Sequence, residues 1–300
     1  MNTTQNPTRN RSFGVIDWLL LLATGTMWGS SFLFVRAALV DIDPMTIAWL
    51  RIVFGAAVLT LFPASWKPLD RRSDWWLVAL LGFVWMALPF TLLGFAQLTI
   101  DSALAGMING AAPLFTALVA LLWFRQQPSK TLAVGLIIGF VGIVAVLMPT
   151  MTGSISVVGV LLMLGVTVSY GAAFNLSGAL QLRNGALAVI WRALGIAAVM
   201  TTPTGLIGLG NTTFAPVSFG AVTVLGVVCT GFAFICFTIL IGRVGPARAS
   251  IATYLIPIVA MLLGTLVAGE ALHPESLSGI VLVLLGAYLA SRGRKAAPSG

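Results

Sequence analysis

Residues 102 to 124, SALAGMINGAAPLFTALVALLWF, form an apolar run with Asn109 and Pro113 in its middle. Residues 249 to 270, ASIATYLIPIVAMLLGTLVAGE, repeat the pattern around Pro257. Laying Pro113 on Pro257 also lays Gly82 on Gly226, Gly135 on Gly279 and Gly142 on Gly286. In a chain with 32 glycines such coincidences decide little by themselves. The hydrophobic boundaries carry the inference: each polar break around these stretches in the first half has a counterpart at nearly the same spacing in the second, as an internal duplication requires.

Outward from that pair, the whole chain reads as membrane protein. Only 8% of its 300 residues are charged, 59% are hydrophobic, and the mean hydropathy is +1.04. Apolar runs of about 20 residues recur, each long enough to cross about 30 Å of hydrocarbon as a helix. The spans fall at 18–39, 44–64, 75–98, 102–124, 131–149, 156–180, 185–208, 217–241, 247–268 and 276–291. This predicts an all-α polytopic protein with an N-terminal tail over 1–17, a first five-span repeat over 18–149, a second over 156–291 and a C-terminal tail over 292–300. Little chain is left for a sizeable soluble domain. Pro44, Pro128, Pro246 and Pro274 stand where they can begin helices.

The net charge of +8 does not point to nucleic acid, because the basic residues are scattered singly through short loops. They report topology instead. With a cytoplasmic N-terminus, 13 of the 16 Lys and Arg residues lie on the inside; Arg36 ends the first span, and Arg51 and Arg192 lie within spans. The positive-inside rule then puts both termini in the cytoplasm. Five spans per repeat is odd, so the second copy enters from the opposite side. Inverted repeats around a midplane site are a recurring plan of secondary transporters.

The second and seventh spans align as WLRIVFGAAVL and IWRALGIAAVM, which lays Arg51 on Arg192. Charge at membrane depth is costly and turns to a cavity or a partner. The two arginines are read either as electropositive contacts flanking a central site or as cations that snorkel or tie down backbone carbonyls. Trp28-Gly29-Ser30-Ser31-Phe32 aligns with Tyr170-Gly171-Ala172-Ala173-Phe174, a ring beside small residues that permit close helix approach. Trp28, Tyr170 and Ser31 are therefore candidate contacts. Asn109, one turn before Pro113, is the leading candidate for substrate contact, since the proline leaves carbonyls available at that level. Tyr254 stands similarly before Pro257, and Thr230 is a further polar group at mid-membrane.

All eight acids fall at span ends or in loops, so no mid-membrane carboxylate is placed to bind a cation or relay protons. Cys229 and Cys236, seven residues apart within one run, cannot pair with each other. The single His273 falls in a turn. No nucleophile–base cluster, metal-ligand spacing or phosphate-cradling glycine loop occurs, so neither a cofactor nor an enzyme is expected.

Trp28-Gly29-Ser30-Ser31-Phe32, Arg51, Ala111-Ala112-Pro113-Leu114, Ile256-Pro257 and Gly269-Glu270 together resemble the drug/metabolite transporter superfamily, in particular its EamA-type ten-helix exporters, and are similar to bacterial aromatic amino acid exporters of the YddG type. The resemblance covers nearly the whole chain. It implies ten transmembrane helices as two inverted five-helix repeats around a central cavity, with spans 1, 3, 4, 6, 8 and 9 around it and spans 5 and 10 peripheral. In the family a Gly-Glu pair often closes the fourth span of each repeat; here the first repeat has Arg125-Gln126 instead. The expectation is a bacterial inner-membrane exporter of amino acids with apolar or aromatic side chains, its partners a small-molecule substrate and the lipid bilayer. The alternatives are a purine, nucleotide-sugar or drug exporter and, from other classes, a membrane-embedded enzyme or scaffold. An enzyme would need a convergent acid, base or nucleophile group, and none is visible.

Overall fold

The computed structural model describes residues 14–124, 130–151, 156–244, 249–271 and 274–292. Arg125-Gln126, Pro128, Pro246, His273 and most of both tails lie outside the described residues. Ten apolar helical segments are present, six of them long enough to cross a membrane and four shorter, and no strand occurs among the described residues.

In chain order these are α1 (Val15–Ala38), α2 (Pro44–Thr60), α3 (Asp74–Ala96), α4 (Ser102–Asn109 continued by Ala112–Phe124), α5 (Lys130–Met151), α6 (Val157–Asn184), α7 (Ala186–Gly208), α8 (Pro216–Val244), α9 (a 3-10 turn, Ser250–Tyr254, continued by Leu255–Leu266) and α10 (Pro274–Arg292). Local chemistry sets the starts. Asp43 accepts from the Met45 amide at 2.8 Å ahead of Pro44, and Ser156 caps α6 through the Gly159 amide at 3.3 Å.

The duplication is visible in these bounds. α1 and α6 begin 142 residues apart (15 and 157), as do α2 and α7 (44 and 186); α5 and α10 begin 144 apart (130 and 274). Each repeat carries a wide π-type turn in its third helix, Phe83–Ala87 and Val227–Phe232, again 144 apart at the start. Equivalent helices run antiparallel. Thr46 Oγ1 donates to the Gly205 carbonyl at 2.9 Å, Trp49 Nε1 to Thr202 Oγ1 at 3.1 Å, and Trp191 Nε1 to Thr60 Oγ1 at 2.9 Å, so α2 ascends as α7 descends. α5 and α10 cross in the same sense, with Gly142 against Gly279 and Val283, and Gly286 against Gly135 and Gly139. The repeats are inverted.

α5 and α10 pack on each other at the periphery and turn apolar side chains outward: Phe140 is 66% and Val281 60% exposed, faces that lipid would cover. Inside, α1, α4 and α9 approach closely at small residues. A side chain on Gly29 would come within 2.6 Å of Val259, and one on Gly106 would run into Ala260.

Candidate functional site

The two proline-broken helices meet at the centre. Pro113 has no N–H for the Asn109 carbonyl, and the α4 ladder opens at Gly110 and Ala111, whose amides fall back on Met107 and Ile108 at 3.0 and 2.9 Å. Pro257 likewise has no N–H for the Thr253 carbonyl. The polar side chains at the two positions four before the prolines, Asn109 and Thr253, line one cavity. Its empty volume, mouth included, is about 610 Å³.

Twelve of its fifteen lining residues are repeat partners. Trp28 pairs with Tyr170 and Phe32 with Phe174, 142 residues apart; Trp85 pairs with Cys229, Phe90 with Phe234, Asn109 with Thr253 and Ala112 with Ile256, 144 apart. The helices expected around the cavity, α1, α3, α4, α6, α8 and α9, supply all of these. The π-type turns matter here, because an extra residue in the turn re-aims the helix face beyond it, and Trp85 and Cys229 lie inside the turns. The rings brace one another: Trp28 and Phe234 centroids are 5.9 Å apart, Trp85 and Phe234 5.3 Å, and Trp85 and Phe174 5.5 Å, each near edge-to-face.

The unpaired lining residues are Ser31, Leu93 and Arg51. Ser31 donates to the Trp28 carbonyl at 2.6 Å. Arg51, from α2, is 5% exposed. Its Nε donates to Thr230 Oγ1 at 3.0 Å, Thr230 in turn donates to the Leu225 carbonyl at 2.9 Å across the wide turn, and the guanidinium lies over the Phe90 ring at 3.9 Å. The stem and one nitrogen are thus fixed. The two terminal amino groups, Nη1 and Nη2, have no hydrogen-bond or carboxylate partner among the described residues. Asn109 Oδ1 is also buried without a partner.

Arg192 does not join Arg51. It lies at the opposite level, half-buried, donating to the Ser65 and Ala188 carbonyls at 3.0 Å with the Trp191 ring 5.3 Å away. The alignment that superposed the two arginines is off by one residue. A side chain on Gly82 would meet the Ala193 carbonyl at 2.5 Å, and one on Gly226 the Arg51 carbonyl at 3.0 Å, so the true counterpart of Arg51 is Ala193, at the 142 spacing of the helix starts. One residue turns a helix by about 100°, which sends Arg192 away from the cavity. Tyr254 stands beside the site, packed on the core around α1 and α9, while Thr253 lines it; the Pro113–Pro257 register already pairs Asn109 with Thr253. Thr230 sits behind Arg51. Sequence reasoning also passed over Phe90, Phe234, Trp85 and Cys229, whose signal is their recurrence at the 144 spacing.

Tethers between the repeats lie above and below. At the end where α1 starts, the near end, Arg183 pairs with Asp74, Asn184 Nδ2 donates to Asp74 at 2.9 Å, and Arg243 pairs with Asp17. At the far end Glu270 accepts from the Ser102 and Ala103 amides at 2.9 and 2.7 Å, from Ser102 Oγ at 2.6 Å and from Arg36. Gly269, at φ 65°, turns the chain out of α9 so that this carboxylate caps α4. Burial pushes the Glu270 carboxyl up, but the bonds from Ser102 and Ala103 and the charge of Arg36 outweigh it and hold the group below its ordinary range.

The model of the EamA-like transporter family matches this chain twice, over residues 16–148 and 157–292. An uncharacterized transporter of Archaeoglobus fulgidus is 24% identical over 92% of this chain and 99% of its own. A probable amino-acid metabolite efflux pump of Salmonella typhimurium is 24% identical over 91% and 94%, and the uncharacterized inner membrane transporter YedA of Escherichia coli 28% over 90% of both chains. A crystal structure superposes with a TM-score of 0.63 over 91% of this chain and 96% of its own, at 19% identity, and shows the shared fold.

Proposed function

The chain belongs to the EamA-like transporter family, and we propose that it exports amino acids with aromatic or other apolar side chains across the inner membrane by alternating access. The observation that carries this reading is a cavity between two inverted repeats, walled by paired aromatic rings and holding one guanidinium whose terminal amino groups have no partner among the described residues. A carboxylate suits that guanidinium and a ring or aliphatic chain suits the walls. The Salmonella relative named as an amino-acid metabolite efflux pump supports the same substrate class.

In this mechanism the near end faces the cytoplasm with both chain termini. Substrate enters from there and lodges beside Trp28, Arg51 and Asn109. Release follows when the Glu270 tether parts and α1, α4 and α9 separate at the far end. The test is flux of labelled phenylalanine and tryptophan into liposomes holding the purified protein alone, with and without an imposed pH gradient. Saturable flux without the gradient supports facilitated export. Flux only with it would require a proton path other than the acids described above. No flux of any amino acid, beside a working control transporter, would remove the substrate assignment.

A further inference from the structure

We infer that the site reads the carboxylate and the ring of its substrate and not an ammonium group, so that aromatic monocarboxylates carrying a neutral α-hydroxyl are ligands at least as good as the corresponding amino acids. The inference rests on the reading of this cavity as the transport site.

It follows from the charge set. Arg51 is 5% exposed, anchored through Nε to Thr230 and laid on Phe90, which aims its two free amino groups as a fixed fork. A planar fork of parallel donors matches a carboxylate bidentately. Nothing of opposite charge answers a second cation. None of the lining residues is acidic, and the buried carboxylates of Asp17, Asp74 and Glu270 are engaged at the two ends with Arg243, Arg183 and Arg36. A monocarboxylate therefore neutralises the cavity. A zwitterion adds a cation beside Arg51, where low dielectric makes like charges expensive.

The polar groups that remain in the lining, Ser31, Asn109, Tyr170 and Thr253, are neutral, and they suit a hydroxyl better than an ammonium. Asn109 Oδ1 is a single buried acceptor without a partner. A hydroxyl has one proton to give, and an ammonium three. A neutral acceptor satisfies the first fully, whereas the charge of the second is left uncompensated in a lining without a carboxylate.

The test is a four-ligand competition on the intact protein in proteoliposomes, each compound competing against labelled phenylalanine: phenyllactate, phenylpropionate, phenylalanine and phenethylamine. Direct binding is read in parallel from the fluorescence of the purified protein, since Trp28 and Trp85 line the cavity. Phenyllactate is expected to compete at or below the phenylalanine concentration, phenylpropionate close behind, and phenethylamine at least about tenfold more weakly, the loss of one charge-assisted pair. Arg51→Lys, which keeps the charge and loses the fork, is expected to weaken phenylalanine and the two acids, which share the carboxylate, by about tenfold and leave phenethylamine binding unchanged. Because the ligand series needs no variant, the order of the four stands even if Arg51→Lys fails to fold. Phenyllactate competing clearly more weakly than phenylalanine itself, or phenethylamine matching phenylpropionate, overturns the inference alone. Failure of all four to bind or move overturns the proposed function and the inference together.

Discussion

At position 51 the first repeat carries arginine, and at the equivalent position 193 the second carries alanine. The same asymmetry recurs beside it: Thr230, which holds Arg51, answers to Met86 at the 144 spacing. Around these two positions the walls remain paired, ring for ring or polar for polar, at Trp28 and Tyr170, Phe32 and Phe174, Phe90 and Phe234, Asn109 and Thr253. Duplication therefore supplies the shape of the cavity, and divergence supplies its charge. The far-end tether has diverged in the same way. Arg36, Ser102 and Glu270 correspond to Gly178, Pro246 and Gln126, residues that cannot build a carboxylate-capped helix start with a cation beside it. An inverted pair of halves can exchange conformations symmetrically only if its two closures are alike. Here they are not: the near closure is two Arg–Asp pairs, Arg183 with Asp74 and Arg243 with Asp17, and the far closure is one carboxylate that caps α4 beside Arg36.

The largest effect is expected at Arg51. Arg51→Ala makes the first repeat resemble the second, and it is expected to reduce transport of carboxylate substrates by about 30-fold or more, the loss that follows from removing one partner of a buried charge pair. Liposome flux and the elution profile in detergent distinguish loss of function from loss of fold. Retained flux would mean that the paired walls alone recognise the substrate and that the charge asymmetry is incidental.

The two closures are compared through Glu270. Glu270→Gln keeps an acceptor for the Ser102 amide and removes the charge that Arg36 meets. Opening of the far end should rise by about tenfold, the shift given by about 1.4 kcal/mol of weakened charge-assisted bonding. Cys229 reports it, being a free thiol of the cavity wall that is 1% exposed in the present state. Alkylation by an impermeant maleimide in a Cys236→Ser background measures the change. Unaltered labelling would show that the tether does not gate the path.

The same carboxylate fixes a pH dependence. Its pKa is lowered in the folded protein, so its stabilising contribution is complete above the ordinary glutamate range and is lost as pH falls through the lowered value. Because only the thiolate is alkylated, Cys229 labelling is divided at each pH by that of the denatured protein; this ratio should stay level from about pH 8 to about pH 6 and climb only well below the ordinary glutamate value of about 4.3. Glu270→Gln should remove the climb. A transition near pH 6 would place a titrating group elsewhere on the path.

Much of this plan was legible in the sequence. Hydrophobic run length gave ten segments within a few residues of the helices, and an odd number of spans per repeat gave the inversion, because both depend only on composition and on the width of a bilayer. The site depended on register, where an error of one residue has a large effect. Pairing Arg51 with Arg192 followed the identity of the two side chains, whereas the helix starts at Pro44 and Ala186 carry the spacing that leads to Ala193. Tyr254 stands before Pro257 much as Asn109 stands before Pro113, yet Thr253 is the residue four before the proline. Phe90 and Phe234 were invisible for another reason: an aromatic side chain in an apolar helix looks the same whether it faces lipid, core or cavity. The pairing of Glu270 with Ser102, 168 residues away, leaves no local trace at all.

The smallest effects separate polar wall from polar periphery. Asn109→Ala removes an unpartnered acceptor from the cavity and should raise the substrate KM by about three- to tenfold, the value of one neutral hydrogen bond of about 0.5–1.5 kcal/mol, with Thr253→Val below it. Arg192→Ala removes an equally conspicuous in-span cation whose hydrogen bonds end on the Ser65 and Ala188 carbonyls beside Trp191. Its substrate KM should stay within about twofold of the parent, because a half-exposed cation of this kind acts through local packing and snorkelling and not through the site. Equal losses at Arg51 and Arg192 would return the two residues to equivalence, and the 142-residue register that separates them would have to be abandoned.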